Sequence, residues 1–337
     1  MHLKVAVIGG GSWGTTVAHI AAHQVPTMLW SRRPDLAEEI NNHHTNERYL
    51  PGFQLHPELR CDPDLHEVVS GADVIVMGVP SQGFRSALEE VAPHARAWVP
   101  IVSLTKGLEQ SSRLRMTQII NDVLPGHPAG VLTGPNLAKE ILAGDAAAAV
   151  LSTVDPIVAD QLQCIFHMNL FRVYTNPDVI GCEVAGALKN VFAIAAGMAD
   201  GLGAGDNTKA MVITRGLAEL SRLGEAMGGQ FATFSGLAGM GDLMATCMSR
   251  QSRNRYVGEQ LGLGQSIDEV IESMNMVAEG VKTSKVVHDL ANEYGIDMPI
   301  AAEVYAVCHE GSTAVEAYRG LVKGQAGGLE HSSLQFR

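Results

Sequence analysis

The chain reads as an α/β protein in two parts, a mostly parallel, doubly wound sheet followed by an all-helical region. Three observations predict this. The opening run Val5-Ala6-Val7-Ile8 is a buried parallel strand by composition, and it leads straight into Gly9-x-Gly11-x-x-Gly14 and an apolar helical pattern at Val17, Ala18, Ile20 and Ala21. Short apolar runs then alternate with helix-length segments up to about residue 176, as parallel sheets require. Beyond Asn176-Pro177-Asp178 only helical periodicity and glycine breaks remain.

The strand, glycine turn and helix read as a Rossmann-type dinucleotide-binding unit, the alternative being a purely structural tight turn, and each glycine has a mechanical reason. The first allows the tight turn, the second lets a pyrophosphate approach the backbone, and the third lets helix and strand pack closely. The turn aims unpaired N–H groups and the helix dipole at that pyrophosphate.

Residues 26–30 read as strand two, followed by a helix over 34–42 and a loop around Tyr49-Leu50-Pro51-Gly52. Further strands are expected at 59–61, 73–80, 98–104, 130–133, 147–152 and 171–174. Helices are expected over 178–199, 206–226, 252–262, 266–273, 280–294, 299–309 and 312–322. The expected division is a dinucleotide-binding domain over 1–180, a helical substrate and catalytic domain over 181–323, and a mobile tail over 324–337.

Composition excludes several classes. The 337 residues are 46% hydrophobic and 18% charged, as in a globular protein with two sizeable cores. A net charge of −12 argues against nucleic-acid or anionic-membrane binding, though a local cationic pocket is compatible with it. The first strand starts within a few residues of Met1, leaving no room for a signal peptide, and no uninterrupted apolar run of about 18 residues predicts a membrane span. Five scattered cysteines without a C-x-x-C pair suit free thiols in a reducing cytoplasm.

At the end of strand two, an NAD-selective unit carries an acid for the ribose 2′-OH. Here the place reads Trp30-Ser31-Arg32-Arg33, which suits the 2′-phosphate of NADP; the alternative is a solvated loop pair.

Two charges stand alone among apolar neighbours. Lys189 is the only charged residue between Glu183 and Asp200, and desolvation would tune its amine toward use as a base. The alternative is a lysine snorkelling from a core helix. Asp242, the only charge between Glu225 and Arg250, is either its partner or a helix cap, with Thr246 one helical turn away. Ser252 with Arg253 suits an N-terminal anion seat, and Thr105-Lys106-Gly107 follows a buried strand at the sheet's ligand-binding edge; the alternative for each, taken alone, is an ordinary cap or loop charge. His19 and His23 lack a third ligand, so no metal site is expected. His43-His44 reads as a loop pair, and Met240, Met244 and Met248 read as core.

Taken in order, Gly9-Gly10-Gly11-Ser12-Trp13-Gly14, Thr105-Lys106-Gly107-Leu108-Glu109, Gly134-Pro135-Asn136-Leu137-Ala138-Lys139-Glu140 and Leu188-Lys189-Asn190-Val191 are distinctive. Gly239-Met240-Gly241-Asp242-Leu243, Gln251-Ser252-Arg253-Asn254 and Val277-Ala278-Glu279-Gly280 complete the set. Over essentially its whole length the chain resembles the bacterial NAD(P)-dependent glycerol-3-phosphate dehydrogenases. It departs at Gly10, where the family more often has Ala, and at Asn136-Leu137, where Ser or Thr and then Phe are usual.

The resemblance implies a helical second domain like the C-terminal domain of 6-phosphogluconate dehydrogenase. It implies reversible conversion of sn-glycerol 3-phosphate to dihydroxyacetone phosphate with NADP or NAD, mainly toward glycerol 3-phosphate for phospholipid synthesis, in a cytoplasmic homodimer. By motif, Lys189 would be the proton acceptor or donor, assisted by Lys106 and Asp242. Gly134, Asn136, Asn190, Thr246, Ser252, Arg253 and Asn254 would join them around the substrate. Gly9, Gly11, Ser12, Trp13, Gly14, Arg32, Arg33, Tyr49, Lys106, Ala138, Arg253, Val277 and Glu279 would line the cofactor. The rival readings are a β-hydroxyacid dehydrogenase, which would not need the phosphate seat at Ser252-Arg253, and a non-catalytic NADP sensor.

Overall fold

The computed structural model describes residues 3–168, 170–274 and 278–323. Two compact units divide between Glu183 and Val184. Val277 and the expected tail over 324–337 lie outside the described residues.

The first unit alternates strand and helix. It opens with β1 (Val5–Ile8), α1 (Ser12–Ala22), β2 (Thr27–Trp30), α2 (Pro34–His43) and β3 (Arg60–Asp62). Then come α3 (Leu65–Val69), β4 (Val74–Met77), α4 (Phe84–Val91), β5 (Ile101–Ser103) and α5 (Met116–Val123). It ends with β6 (Ala129–Thr133), α6 (Ala138–Ala143), β7 (Ala147–Thr153), α7 (Pro156–Ile165) and β8 (Phe171–Asn176).

The strands form one sheet in the order β3-β2-β1-β4-β5-β6-β7-β8. The first six in chain order pair in parallel. β7 runs antiparallel to β6 and parallel to β8. Strand order reverses between β1 and β4, so the crevice at their carboxyl ends is where this architecture binds ligands.

Alternation along the strands builds two cores. Val5 and Val7 of β1 join Val17, Ile20, Leu36, Ile40, Leu162 and Ile165 on one face. Ala6 and Ile8 join Val68, Phe84, Leu88, Val91, Ile119 and Ile120 on the other. A strand covered on both faces is apolar throughout, which is why β1 and β4 read as continuous runs. Each fully buried Val, Ile or Phe contributes about 1.5–3 kcal/mol. The strand expected over 98–104 is only Ile101–Ser103, because Trp98 has φ +67° and is 75% exposed.

The second unit continues α8 (Val179–Gly201) into α9 (Asp206–Ala226) and α10 (Phe231–Phe234). A π-helical turn at Leu237–Gly241 then leads into α11 (Asp242–Met248), α12 (Arg253–Gly262) and α13 (Ile267–Ser273). The last three helices are α14 (Glu279–Tyr294), α15 (Pro299–His309) and α16 (Ala314–Lys323). Among the described residues, α8 alone is long and apolar enough to cross a membrane, and 94% of its apolar window is buried. It is a core helix. Gly197 and Gly201 face Gly258 and Gly262 of α12 so closely that a Cβ at Gly197 would lie 2.0 Å from the Arg255 carbonyl oxygen. Backbone contact of this kind fixes the crossing of α8 over α12, and with it the side chains each presents.

Glu219 of α9 is buried and accepts from the backbone N–H groups of Ile300 (3.0 Å) and Ala301 (3.1 Å), satisfying the first turn of α15. Burial pushes its carboxyl up to about 7, against the pull of those two donors.

Candidate active site

In the first unit the glycine turn has the geometry its spacing predicts. Gly9, at φ +120°, leaves β1, and a Cβ there would lie 2.6 Å from the Gly78 carbonyl oxygen. A Cβ on Gly14 would lie 2.1 Å from the Gly9 oxygen, so the third glycine is needed for helix to meet strand. A Cβ on Gly11 would meet nothing within 4 Å. That open space is where a dinucleotide would come against the backbone. Gly78, which the sequence reading missed, closes the turn from β4: its N–H donates to Ile8 O at 2.8 Å.

Ser12 Oγ donates to the Tyr49 carbonyl at 3.3 Å, joining two of the expected cofactor residues. The Trp13 indole packs edge-on against Phe171, 6.5 Å between ring centres, and its buried Nε1 has no partner. The other buried side-chain polar atoms without a partner, among the described residues, are His44 Nδ1, Asn46 Oδ1, Thr133 Oγ1 and both polar atoms of Asn136. Unsatisfied groups inside a fold need an explanation, and a polar ligand is one. The residues present fit a bound dinucleotide.

Arg33 pairs with Asp35, Nε to Oδ1 at 3.1 Å, at the exposed start of α2. Arg32 is exposed beside it. Lys106 Nζ donates to the Gly134 carbonyl at 2.8 Å, bringing two expected substrate residues together; Gly134 itself stands at φ +113°. Ala138 begins α6.

In the second unit Lys189 is buried on α8, its side chain 6% exposed and that of Asp242 2%. Nζ donates to Asp242 Oδ1 and, at 2.5 Å, to Thr246 Oγ1. Snorkelling is therefore overturned. Asp242 is both an acid in the first turn of α11, where the helix dipole favours its charge, and the buried partner of the amine. Thr246 lies one turn on, with its Oγ1 3.4 Å from Asp242 Oδ1. Residues 231–248 carry α10 and the π turn, which no expected helix covered. A Cβ on Gly239 would lie 2.1 Å from Phe234 O, so the tight wrap that delivers Asp242 needs glycine there. Cys247 is buried nearby, and burial pushes its thiol up to about 12.

Met240, Met244 and Met248 are not core. They are 42%, 43% and 67% exposed, because Asp242, Leu243, Thr246 and Cys247 take the buried face of α11.

Asn254 Nδ2 donates to Asn190 Oδ1 at 2.9 Å, and Asn254 Oδ1 accepts from Gly280 N–H at 2.9 Å. α8, α12 and the start of α14 are thereby joined beside Lys189. Ser252 caps α12, its Oγ accepting from Arg255 N–H at 3.2 Å, with Arg253 exposed in the first turn. Desolvation by its neighbours lowers the Arg253 guanidinium from its ordinary value, and the Glu279 carboxylate opposes that shift.

His19 and His23 meet at the end of α1, with His56 beside them. His19 Nδ1 accepts from His56 N–H at 2.9 Å, while its Nε2 meets His23 Nε2 at 3.4 Å. The Nδ1 acceptor places the His19 proton on Nε2, toward His23. Burial lowers the His19 pKa to about 4. His43 ends α2 and His44 follows in the left-handed region at φ 54°, not as a simple loop pair.

The family model for the NAD-dependent glycerol-3-phosphate dehydrogenase N-terminus matches residues 4–159, and that for the C-terminus matches 178–319. The chain is similar to glycerol-3-phosphate dehydrogenase [NAD(P)+] 2 of Sphingopyxis alaskensis, 59% identical over 98% of this chain and 99% of the relative. It is 56% identical to glycerol-3-phosphate dehydrogenase [NAD(P)+] of Mycobacterium avium, over 98% of this chain and 97% of that one. The crystal structure of glycerol-3-phosphate dehydrogenase from Coxiella burnetii superposes with a TM-score of 0.91 at 36% identity, covering 96% of this chain and 99% of that chain. With both halves matched, and with relatives so similar along their full length, the chain belongs to the NAD-dependent glycerol-3-phosphate dehydrogenase family.

Proposed function

We propose that this chain interconverts sn-glycerol 3-phosphate and dihydroxyacetone phosphate with NADP or NAD, using Lys189 to move the proton. The names of its relatives support the activity, and the buried Lys189–Asp242–Thr246 group carries the assignment of the proton. The nicotinamide supplies the hydride chemistry. In oxidation, the Lys189 amine takes the hydroxyl proton of the secondary alcohol as its carbon loses hydride. In reduction, the ammonium returns a proton to the carbonyl oxygen. Asp242 and Thr246 hold Nζ in place, so that little of its orientation must be found during the reaction.

Arg253, at the free N–H end of α12, is the phosphate-side cation, and the Asn190–Asn254 pair and Lys106 beside Gly134 position the rest of the substrate. Asn136, whose buried amide atoms have no partner in the protein, would contact the substrate too. Working toward glycerol 3-phosphate, the enzyme would feed phospholipid synthesis, and five free cysteines suit a reducing cytoplasm.

The test is loss of NADPH absorbance with dihydroxyacetone phosphate beside unphosphorylated dihydroxyacetone. Rapid turnover of the phosphorylated ketone alone is the expected result. Equal rates with both would remove the phosphate seat, and no turnover with either would remove the substrate.

The cofactor side carries its own prediction. Arg32→Glu/Arg33→Glu should weaken NADPH by about 10- to 100-fold, as loss of charge-assisted contacts to a phosphate would. NADH, which lacks the 2′-phosphate, should be affected much less. Dissociation constants for the two cofactors check this, and equal loss would return Arg33 to its role as the exposed partner of Asp35.

A further inference from the structure

The segment between α2 and β3 is tied to the glycine turn through a residue that no motif marks. Asn46 is 0% exposed. Its Nδ2 donates to Gly10 O at 3.1 Å and to Thr15 Oγ1 at 2.9 Å. Its carbonyl accepts from Tyr49 N–H (3.2 Å) and Leu50 N–H (2.8 Å), which folds the chain so that the Tyr49 carbonyl meets Ser12 Oγ.

The amide has one tenable orientation, since a flip would set Oδ1 against the Gly10 oxygen. In that orientation Oδ1 is buried without a partner. An unsatisfied acceptor is costly, and an apolar side chain would fill the space without it. The donor is therefore what the position requires. In a trans peptide the C=O and the following N–H point in opposite directions. Fixing the Gly10 oxygen from one side thus fixes the Gly11 N–H on the other. Gly11 is the glycine with open space before it, and no cis peptide occurs in the chain among the described residues.

We propose that Asn46 is a positioning residue for the cofactor: by holding the Gly10 carbonyl it aims the Gly11 N–H at the pyrophosphate. The inference rests on the dinucleotide reading of this turn, but not on the identity of the substrate. Thr15 shares the amide's second donor contact and serves as the structural control.

The experiment measures NADPH dissociation constants by fluorescence, with melting temperatures, for Asn46→Asp, Asn46→Ala and Thr15→Val. A carboxyl at position 46 can donate to Gly10 O only while protonated. The ratio of the Asn46→Asp constant to the wild-type constant should therefore rise with pH, from near one in acid to about 10- to 100-fold in alkali. Asn46→Ala should show a similar loss that does not depend on pH, and Thr15→Val should lower the melting temperature while binding NADPH like the wild type. Thr15→Val should keep the wild-type kcat, and the KM for NADPH should rise in the two Asn46 variants alone. A pH-independent ratio near one for Asn46→Asp, or equal binding losses in Asn46→Ala and Thr15→Val, would overturn the proposal. Failure of wild type to bind either cofactor would overturn it as well. Binding shifts as expected in a protein that does not turn over dihydroxyacetone phosphate would support it while removing the substrate assignment.

Discussion

Lys189→Ala is expected to lower kcat by about 10²–10⁴-fold, the usual contribution of a positioned proton donor or acceptor, while NADPH affinity stays close to that of the wild type. A second effect must be separated from this. Lys189 and Asp242 are buried partners, and removing the amine strands a carboxylate inside the helical unit. Breaking such a pair costs about 3–5 kcal/mol, so the single variant should also melt earlier. Replacing both charges by apolar residues of similar size is often neutral for stability. Lys189→Met/Asp242→Leu should therefore regain much of the melting temperature and none of the turnover. Kinetics and calorimetry on the single and double variants separate chemistry from stability. A double variant that kept more than a tenth of the wild-type kcat would remove Lys189 from the reaction.

That pair was legible in the sequence for a physical reason. A charge alone in an apolar run must either reach solvent or find a buried partner, and the chain offers two such runs. The i, i+4 relation of Asp242 and Thr246 likewise needs only that the stretch be helical, as α11 is. What periodicity does not carry is direction. Met240, Met244 and Met248 mark one stripe of the helical surface, but which stripe faces the core depends on where Lys189 lies, far away in sequence.

Contacts between distant segments were silent for the same reason. Asn46 reads as an ordinary loop asparagine until its partners at Gly10 and Thr15 are known. Gly78 is a lone glycine after a strand, and its need for glycine comes from Gly14: a Cβ on Gly78 would lie 3.1 Å from the Gly14 Cα. Nor does an apolar run reveal its polarity in a sheet. The reversal at β7 is decided by its pairing with β6, which composition does not encode.

The glycine turn allows the two reasons for its glycines, packing and ligand approach, to be measured apart. Gly14→Ala puts a methyl group 2.1 Å from the Gly9 carbonyl oxygen, a backbone atom with no rotamer to yield. α1 must move away from β1. Overpacking of this kind costs about 1–3 kcal/mol, and a shift of about 1 Å in the turn should cost about 100-fold in kcat/KM for NADPH. Stability and cofactor use should fall together. Gly11→Ala is a different experiment, because a Cβ there meets nothing within 4 Å and the backbone stands at φ −76°, which alanine adopts readily. The melting temperature of the free protein should be that of the wild type or slightly above it, since alanine restricts the unfolded chain. Only the dinucleotide would meet the added methyl, so NADPH affinity should fall with no cost to the fold. A Gly11→Ala protein that binds NADPH normally would mean that the pyrophosphate does not come against this backbone. The open space at Gly11 would then be solvent, and the cofactor would have to be held elsewhere in the crevice between β1 and β4.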